Sequence, residues 1–129
     1  MKPVTSAQND LVKFVRTLSN KRRRGEAGLF VAEGEKVLAR ARATGWKPRH
    51  LFTRDGGAGG WAEETVLASE AVMRALSAQE NASHTVAVFH QRWSEPPTEP
   101  QGLWLLLDSI RDPGNLGTII RTGDAAGAS

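Results

Sequence analysis

The sequence predicts an α/β protein: a small three-layer α/β/α domain, followed by the opening strand and helix of a second one. Three observations carry this. Short apolar runs of strand length alternate with stretches whose apolar residues recur at helical spacing, the pattern of a mostly parallel sheet covered on both faces. A proline-rich segment, SEPPTEPQG at 94–102, then breaks the pattern. Beyond it LWLLLD enters a glycine-bracketed loop, and helical spacing resumes.

Taken in order, residues 6–20 read as a helix. Leu11, Phe14, Val15 and Leu18 fall at i, i+3, i+4 and i+7, one apolar stripe, with Lys13 and Arg16 pointing away from it. Ser6 supplies an oxygen to cap its start. The helix runs out into Lys21, Arg22, Arg23 and Arg24, and Gly25 and Gly28 allow a turn. Residues 29–31 form a short strand leading to Glu33-Gly34-Glu35-Lys36. A helix follows with Val37, Leu38 and Ala41 on one face, and Gly45 stands where a helix C-terminal glycine belongs. Residues 50–53 make a second strand and 56–60, Gly-Gly-Ala-Gly-Gly, a flexible loop. Without a following Lys-Ser/Thr this cluster reads as a plain loop and not as a nucleotide-binding one. A strand at 65–68, a helix at 69–76 bearing Val72, Met73 and Leu76, and a short buried strand at 85–89 complete the first domain, set at 1–93. The linker at 94–102 is extended and semi-rigid. The second domain begins at 103 and runs to 129, with a fully apolar strand at 103–107 and a helix starting near Asn115 or Leu116.

Composition excludes several classes. With no cysteine among 129 residues there are no disulfides, thiolate metal sites or cysteine nucleophiles. His50, His84 and His90 share no ligand-like spacing, so no metal site is expected. No apolar run reaches the ~20 residues that span a bilayer, and the N-terminus lacks a secretory apolar core. A cytoplasmic protein without membrane contact is expected. Net charge is +3 but divided: residues 1–54 hold 13 of the 17 Lys and Arg against 4 of the 14 Asp and Glu, which is +9, and the remainder carries −6. A basic front half points to a polyanion partner. The competing reading is a solvated basic helix. Trp46, Trp61, Trp93 and Trp104 read as packing residues and not as base-stacking platforms.

In open α/β sheets ligands sit beyond the carboxyl ends of the strands, where the loop after Asp108 lies. Asp112-Pro113-Gly114 is turn chemistry. Asn115 can cap the next helix or reach a ligand, and Gly117 allows close backbone approach. Arg121 can lean back toward the loop, and burying it without an anionic partner would be costly. Local physics leaves two readings open here, a capped loop with a surface arginine or a site.

Asp112, Pro113, Asn115, Gly117, Arg121 and Thr122, continued by Ala125-Ala126-Gly127-Ala128, resemble motif 1 of the SpoU class (TrmH family) of knotted RNA 2′-O-ribose methyltransferases. Gly123 departs mildly, standing where the family usually has alanine. The first domain is similar to the substrate-binding domain that precedes catalysis in many members, through Asn9, Lys13, Leu18, Lys21, Arg23, Gly28, Phe30, Glu33, Gly34 and Lys36. The resemblance implies a ribosomal-protein-like α/β/α domain that grips rRNA or tRNA, with Lys13, Lys21, Arg22, Arg23, Arg24, Glu33 and Lys36 as RNA-binding positions. Glu33 has a second reading, as a cap of the helix that follows it. The resemblance also implies methyl transfer from S-adenosylmethionine to a ribose 2′-hydroxyl, with Asn115 and Arg121 in the active site and a homodimeric parent enzyme. A guanidinium holds its proton near neutral pH, so phosphate anchoring and alkoxide stabilisation suit Arg121 better than proton abstraction. The family's later motifs, which build the knot, the cofactor site and the dimer interface, lie downstream of motif 1. This segment is therefore expected to bind RNA without binding S-adenosylmethionine and to be inactive alone. The alternative is a stand-alone RNA-binding module, and a nucleotide-binding fragment is a distant third.

Overall fold

The computed structural model describes residues 3–57, 59–99 and 101–128; Ala58 of the glycine cluster, Pro100 of the linker and Ser129 lie outside the described residues. Two compact units form, one ending at Arg92 and one beginning at Trp93. The first contains α1 (Asp10–Thr17), α2 (Lys21–Ala27), β1 (Leu29–Glu33), α3 (Glu35–Ala43), β2 (His50–Thr53), β3 (Glu64–Leu67), α4 (Glu70–Leu76) and β4 (Thr85–His90).

The single helix expected over 6–20 is shorter, and a second helix follows it. Asn9, not Ser6, caps α1: its Oδ1 accepts the N–H of Leu11 at 3.0 Å, while Ser6 Oγ accepts from Gln8 N in the preceding turn. Asn20 then opens α2 by accepting the N–H groups of Arg22 at 2.9 Å and Arg23 at 3.3 Å. The basic cluster is thus the first turn of a helix, Gly25 lies inside that helix, and Gly28 closes it at φ 64°. The buried face of α1 is Val12, Val15 and Leu18, whereas Phe14 is 39% exposed. The expected stripe was rotated by about one residue, because β-branched Val12 faces the sheet where Phe14 does not.

The sheet order is β1-β4-β2-β3. β4 lies between β1 and β2 and runs antiparallel to both, so of these three ladders only β2–β3 is parallel. The mostly parallel sheet is therefore corrected to a mixed one. Apolar runs report burial and contain no information about strand direction. Side chains alternate across the sheet and feed two cores. Phe52, Val86 and Val88 face Val15 of α1 and Met73 of α4. Leu51, Ala87 and Phe89 face Leu38 of α3, with Trp46 and Trp61 packed against them. The three-layer expectation holds.

On α3, Val37 is 55% exposed and does not share the packed face of Leu38. The helix ends in a Schellman arrangement: Trp46 N–H donates to Ala41 O at 2.9 Å and Gly45 N–H to Arg42 O at 3.2 Å. Gly45 takes φ 79° there, a conformation that suits glycine. Parallel neighbours are usually joined by a helix, but the described residues between β2 and β3 form none, and Trp61 there packs against the second core. Its indole N–H donates to Trp46 O at 2.8 Å. An aromatic side chain covers the surface that a crossover helix would otherwise cover.

The second unit holds α5 (Pro113–Ala125). The helix starts earlier than expected, with Asp112 as cap accepting from Gly114 N at 2.7 Å and proline at its first position. The strand expected at 103–107 does not form. Leu103 makes one isolated parallel bridge to Ala128, and Leu106 is 93% exposed. A strand needs hydrogen-bonding neighbours for its backbone, and this run has only that bridge among the described residues. Among those residues no helix is long and apolar enough to cross a membrane, and no cluster of His, Asp or Glu is suited to a metal.

Candidate functional site

The chain's basic cluster is divided by its own folding. Arg22 Nε lies 2.9 Å from Glu26 Oε1, and Arg23 Nη1 lies 3.3 Å from Glu26 Oε2, one carboxylate serving two exposed guanidiniums. Arg24 turns the other way. Its Nη1 donates to Leu18 O at 3.0 Å and Ser19 O at 2.8 Å, satisfying carbonyls at the end of α1 that have no helical partner. Lys21, Arg22 and Arg23 are exposed on α2, while Arg24 is half-buried.

Two clefts flank the end of β1. One, of about 870 Å³, lies between α1, β1 and the end of α4, and is lined by Lys13, Arg16, Arg24 and Glu33. The other, of about 680 Å³, opens at the start of α3 and is lined by Glu33, Gly34, Lys36, Arg42, Trp61 and His84. Sequence reasoning placed Arg16 on the outer face of its helix without assigning it to the site, and left Arg42 aside. Arg16 follows Lys13 by three residues and so shares its side of the helix, a signal that could have found it. Nothing in the spacing marks Arg42.

Glu33 forms part of the wall of both clefts. It does not cap α3, whose first residue follows Gly34 without any side-chain cap. Its carboxylate instead accepts Ser77 Oγ–H at 2.5 Å and Ala78 N–H at 2.8 Å, fixing the chain that leaves α4. Of the positions read as RNA-binding, the fold thus brings Lys13 and Arg24 into one cleft and Lys36 into the other. Lys21, Arg22 and Arg23 sit outside both.

At the start of the glycine cluster, a carboxylate of the chain itself takes up a backbone amide. Asp55 Oδ1 accepts Gly57 N–H at 2.9 Å and Thr53 Oγ1–H at 2.7 Å. The amide and then the hydroxyl hold this carboxyl below the ordinary carboxylate range. With Gly57 N–H so occupied, a phosphate has a competitor at this loop. Trp46 and Trp61 pack around Phe89 at ring separations of 6.0 and 6.1 Å. Trp93 and Trp104 differ from the packing expectation, being 86% and 42% exposed.

In the second unit, Asn115 lies inside the first turn of α5 and is not its cap, and Arg121 is exposed on the same helix. Six helical residues separate them by about 9 Å along the axis and about 120° around it. The helix alone therefore does not bring the two side chains together, and Arg121 is not buried. The loop before α5 holds Ser109 at φ 58°, in the left-handed region that a residue other than glycine seldom occupies.

Residues 9–87 match the MRM3-like substrate binding domain family. A 23S rRNA (guanosine(2553)-2′-O)-methyltransferase of Bacillus subtilis is 33% identical over 98% of this chain and 52% of its own length. Among solved structures, an AdoMet-bound rRNA methyltransferase from Sinorhizobium meliloti is 38% identical, with a TM-score of 0.78 over 99% of this chain and 52% of that one. The SpoU methyltransferase AviRb of Streptomyces viridochromogenes, in complex with the cofactor AdoMet, is 27% identical, with a TM-score of 0.75 over 94% of this chain and 51% of that one. The chain spans about half the length of the curated relatives it matches.

Proposed function

The chain belongs to the MRM3-like substrate-binding family, and on that premise we propose that it is the RNA-gripping front half of a longer enzyme. That enzyme moves a methyl group from S-adenosylmethionine to a ribose 2′-hydroxyl of ribosomal or transfer RNA, acting in the cytoplasm as a homodimer. The observation that carries the reading is a basic surface in two adjoining parts: the exposed Lys21, Arg22 and Arg23 of α2, and the cleft reached by Lys13 and Arg16, with Arg24 in its wall, whose single carboxylate, Glu33, is already hydrogen-bonded within the fold. A concave, net-positive surface attracts a phosphate backbone, and the 2′-hydroxyl lets a protein tell RNA from DNA.

The described residues of the second unit do not fit S-adenosylmethionine. Their groove, lined by Leu103, Leu105, Ile119 and Ala126, carries no charged side chain. Its two hydroxyls are committed to the helix, Thr118 to Gly114 O at 3.0 Å and Thr122 to Thr118 O at 2.9 Å. The donor's contacts are accordingly assigned to the part of the relatives' length that this chain does not span. Within α5, Arg121 is given the role of anchoring the target phosphate and stabilising developing negative charge on the 2′-oxygen, and Asn115 that of a polar contact to the target nucleotide.

Two experiments test this. For the RNA-binding half, the affinity of this chain for labelled single-stranded RNA is measured by anisotropy against salt concentration. Changing Lys21, Arg22 and Arg23 together to glutamine is expected to flatten the log–log slope by about two units, three lost phosphate contacts at about 0.7 each. Glu26→Gln is expected to act in the opposite sense, tightening binding about 2–5-fold by releasing two guanidiniums from an exposed ion pair. An unchanged slope in the triple variant would mean that the cluster is only a solvated face. For the enzymatic half, the full-length protein is incubated with tritiated S-adenosylmethionine and ribosomal RNA. Label is expected in RNA and absent from DNA of the same sequence. No transfer to RNA would leave the stand-alone RNA-binding module as the better reading.

A further inference from the structure

We propose that Arg24 and Gln91 are positioning residues for RNA binding, holding α2 so that Lys21, Arg22 and Arg23 present a preorganised phosphate-binding face. The inference rests on the RNA-binding reading and deepens it.

By itself α2 is a poor helix. It has seven residues and no fully buried side chain, far below the ~12–15 at which an isolated helix becomes even marginal in water. Gly25 inside it costs about 1 kcal/mol relative to alanine. Its first turn carries consecutive cations at the positive end of the helix dipole, the unfavourable arrangement. Only Ala27 reaches the core, and that partly. Packing does not account for its place in the fold, so polar ties must supply much of what fixes it.

Those ties are on both ends. At the start, Asn20 Oδ1 caps the helix and the Arg24 guanidinium reaches back to Leu18 O and Ser19 O, joining α2 to the end of α1. At the finish, Gln91 Nε2 donates to Arg24 O and to Leu29 O, each at 3.2 Å, and Gln91 N donates to Gly28 O at 2.8 Å. Gln91 thereby ties the last turn of α2 and the first residue of β1 to the chain leaving β4. Arg24 serves as the common node, its side chain gripping α1 and its carbonyl held by Gln91. An arm fixed in this way loses less conformational freedom when it meets a ligand. The role assigned to Arg24 accordingly changes from phosphate contact to support of its three neighbours.

The test uses the whole 129-residue chain and poly(U) RNA as probe, with affinity read by anisotropy. Gln91→Leu removes the amide that donates to Arg24 O and Leu29 O without touching any charge, and Arg24→Lys keeps the charge while removing the rigid guanidinium whose Nη1 bridges Leu18 O and Ser19 O. Each is expected to weaken binding about 3–10-fold, the size of one or two net hydrogen bonds. In the background where Lys21, Arg22 and Arg23 are glutamine, each is expected to change affinity less than about 2-fold, because the face they support is gone. Wild-type affinity in both variants would overturn the proposal, and so would equal weakening in both backgrounds, the mark of general destabilisation. If Gln91→Leu does not fold, Arg24→Lys carries the same comparison. Absence of salt-dependent poly(U) binding by the unaltered chain would instead remove the RNA-binding reading itself, and this inference with it.

Discussion

In the longer enzyme proposed above, Arg121→Ala is expected to lower the rate of methyl transfer by about 10²–10³-fold, the effect of removing one preorganised group that meets charge developing in a transition state. Arg121→Lys should restore only a small part, since an ammonium lacks the planar fork that grips two phosphate oxygens at once. The exposure of Arg121 on α5 implies that neither change disturbs folding. RNA affinity should change far less than rate, because the basic surface lies in the first unit. The measurement is initial-rate incorporation of tritiated methyl groups at saturating RNA. A rate within about 3-fold of wild type would show that the arginine is a surface residue and that motif 1 is being misread here.

Phe89→Ala is expected to destabilise the first unit by about 3–5 kcal/mol, the usual cost of deleting a buried phenyl ring. Phe89 is 2% exposed on the central strand β4 and stands at the middle of an aromatic cluster. It stacks on Phe30 at 5.7 Å and meets the edges of Trp46 and Trp61 at 6.0 and 6.1 Å. Aromatic pairs of this kind add about 0.5–1.5 kcal/mol beyond area burial. Against a total stability of about 5–15 kcal/mol for a small domain, the loss is a large fraction. Urea unfolding followed by tryptophan fluorescence reads it directly, as a lower midpoint at unchanged slope. Phe89→Leu keeps most of the volume and should cost less than about 1.5 kcal/mol. A loss below about 1 kcal/mol for alanine would mean that this face of the sheet is loosely packed.

Much of this molecule was legible in order of residues alone. The strand at 50–53 falls where it was expected, and Ser69 and Gly45 mark helix ends through local chemistry that needs no distant partner. The family was legible for the same reason: motif 1 is a set of residue types at fixed spacing. Where local signals competed, the reading slipped. Ser6 and Asn9 are both good caps, and the choice of Asn9 followed from which valines the sheet would bury.

Other features depended on how segments of the chain come to lie against one another, whether distant or close in sequence. The insertion of β4 between β1 and β2 could not be read from its apolar run, which is equally apolar in either direction. The run at 103–107 looked like a strand, but a strand is made by its neighbours, and the described chain offers it one bridge. The basic cluster at 21–24 read as one uniform patch. Tertiary structure sorted it into two exposed guanidiniums sharing Glu26, one exposed lysine, and an arginine turned inward to the carbonyls of α1. Sequence determined that these charges exist and lie close together, because composition and spacing are local. Only the fold decided which of them face solvent, since a guanidinium turns to whichever unpaired acceptors the packing brings within about 3 Å.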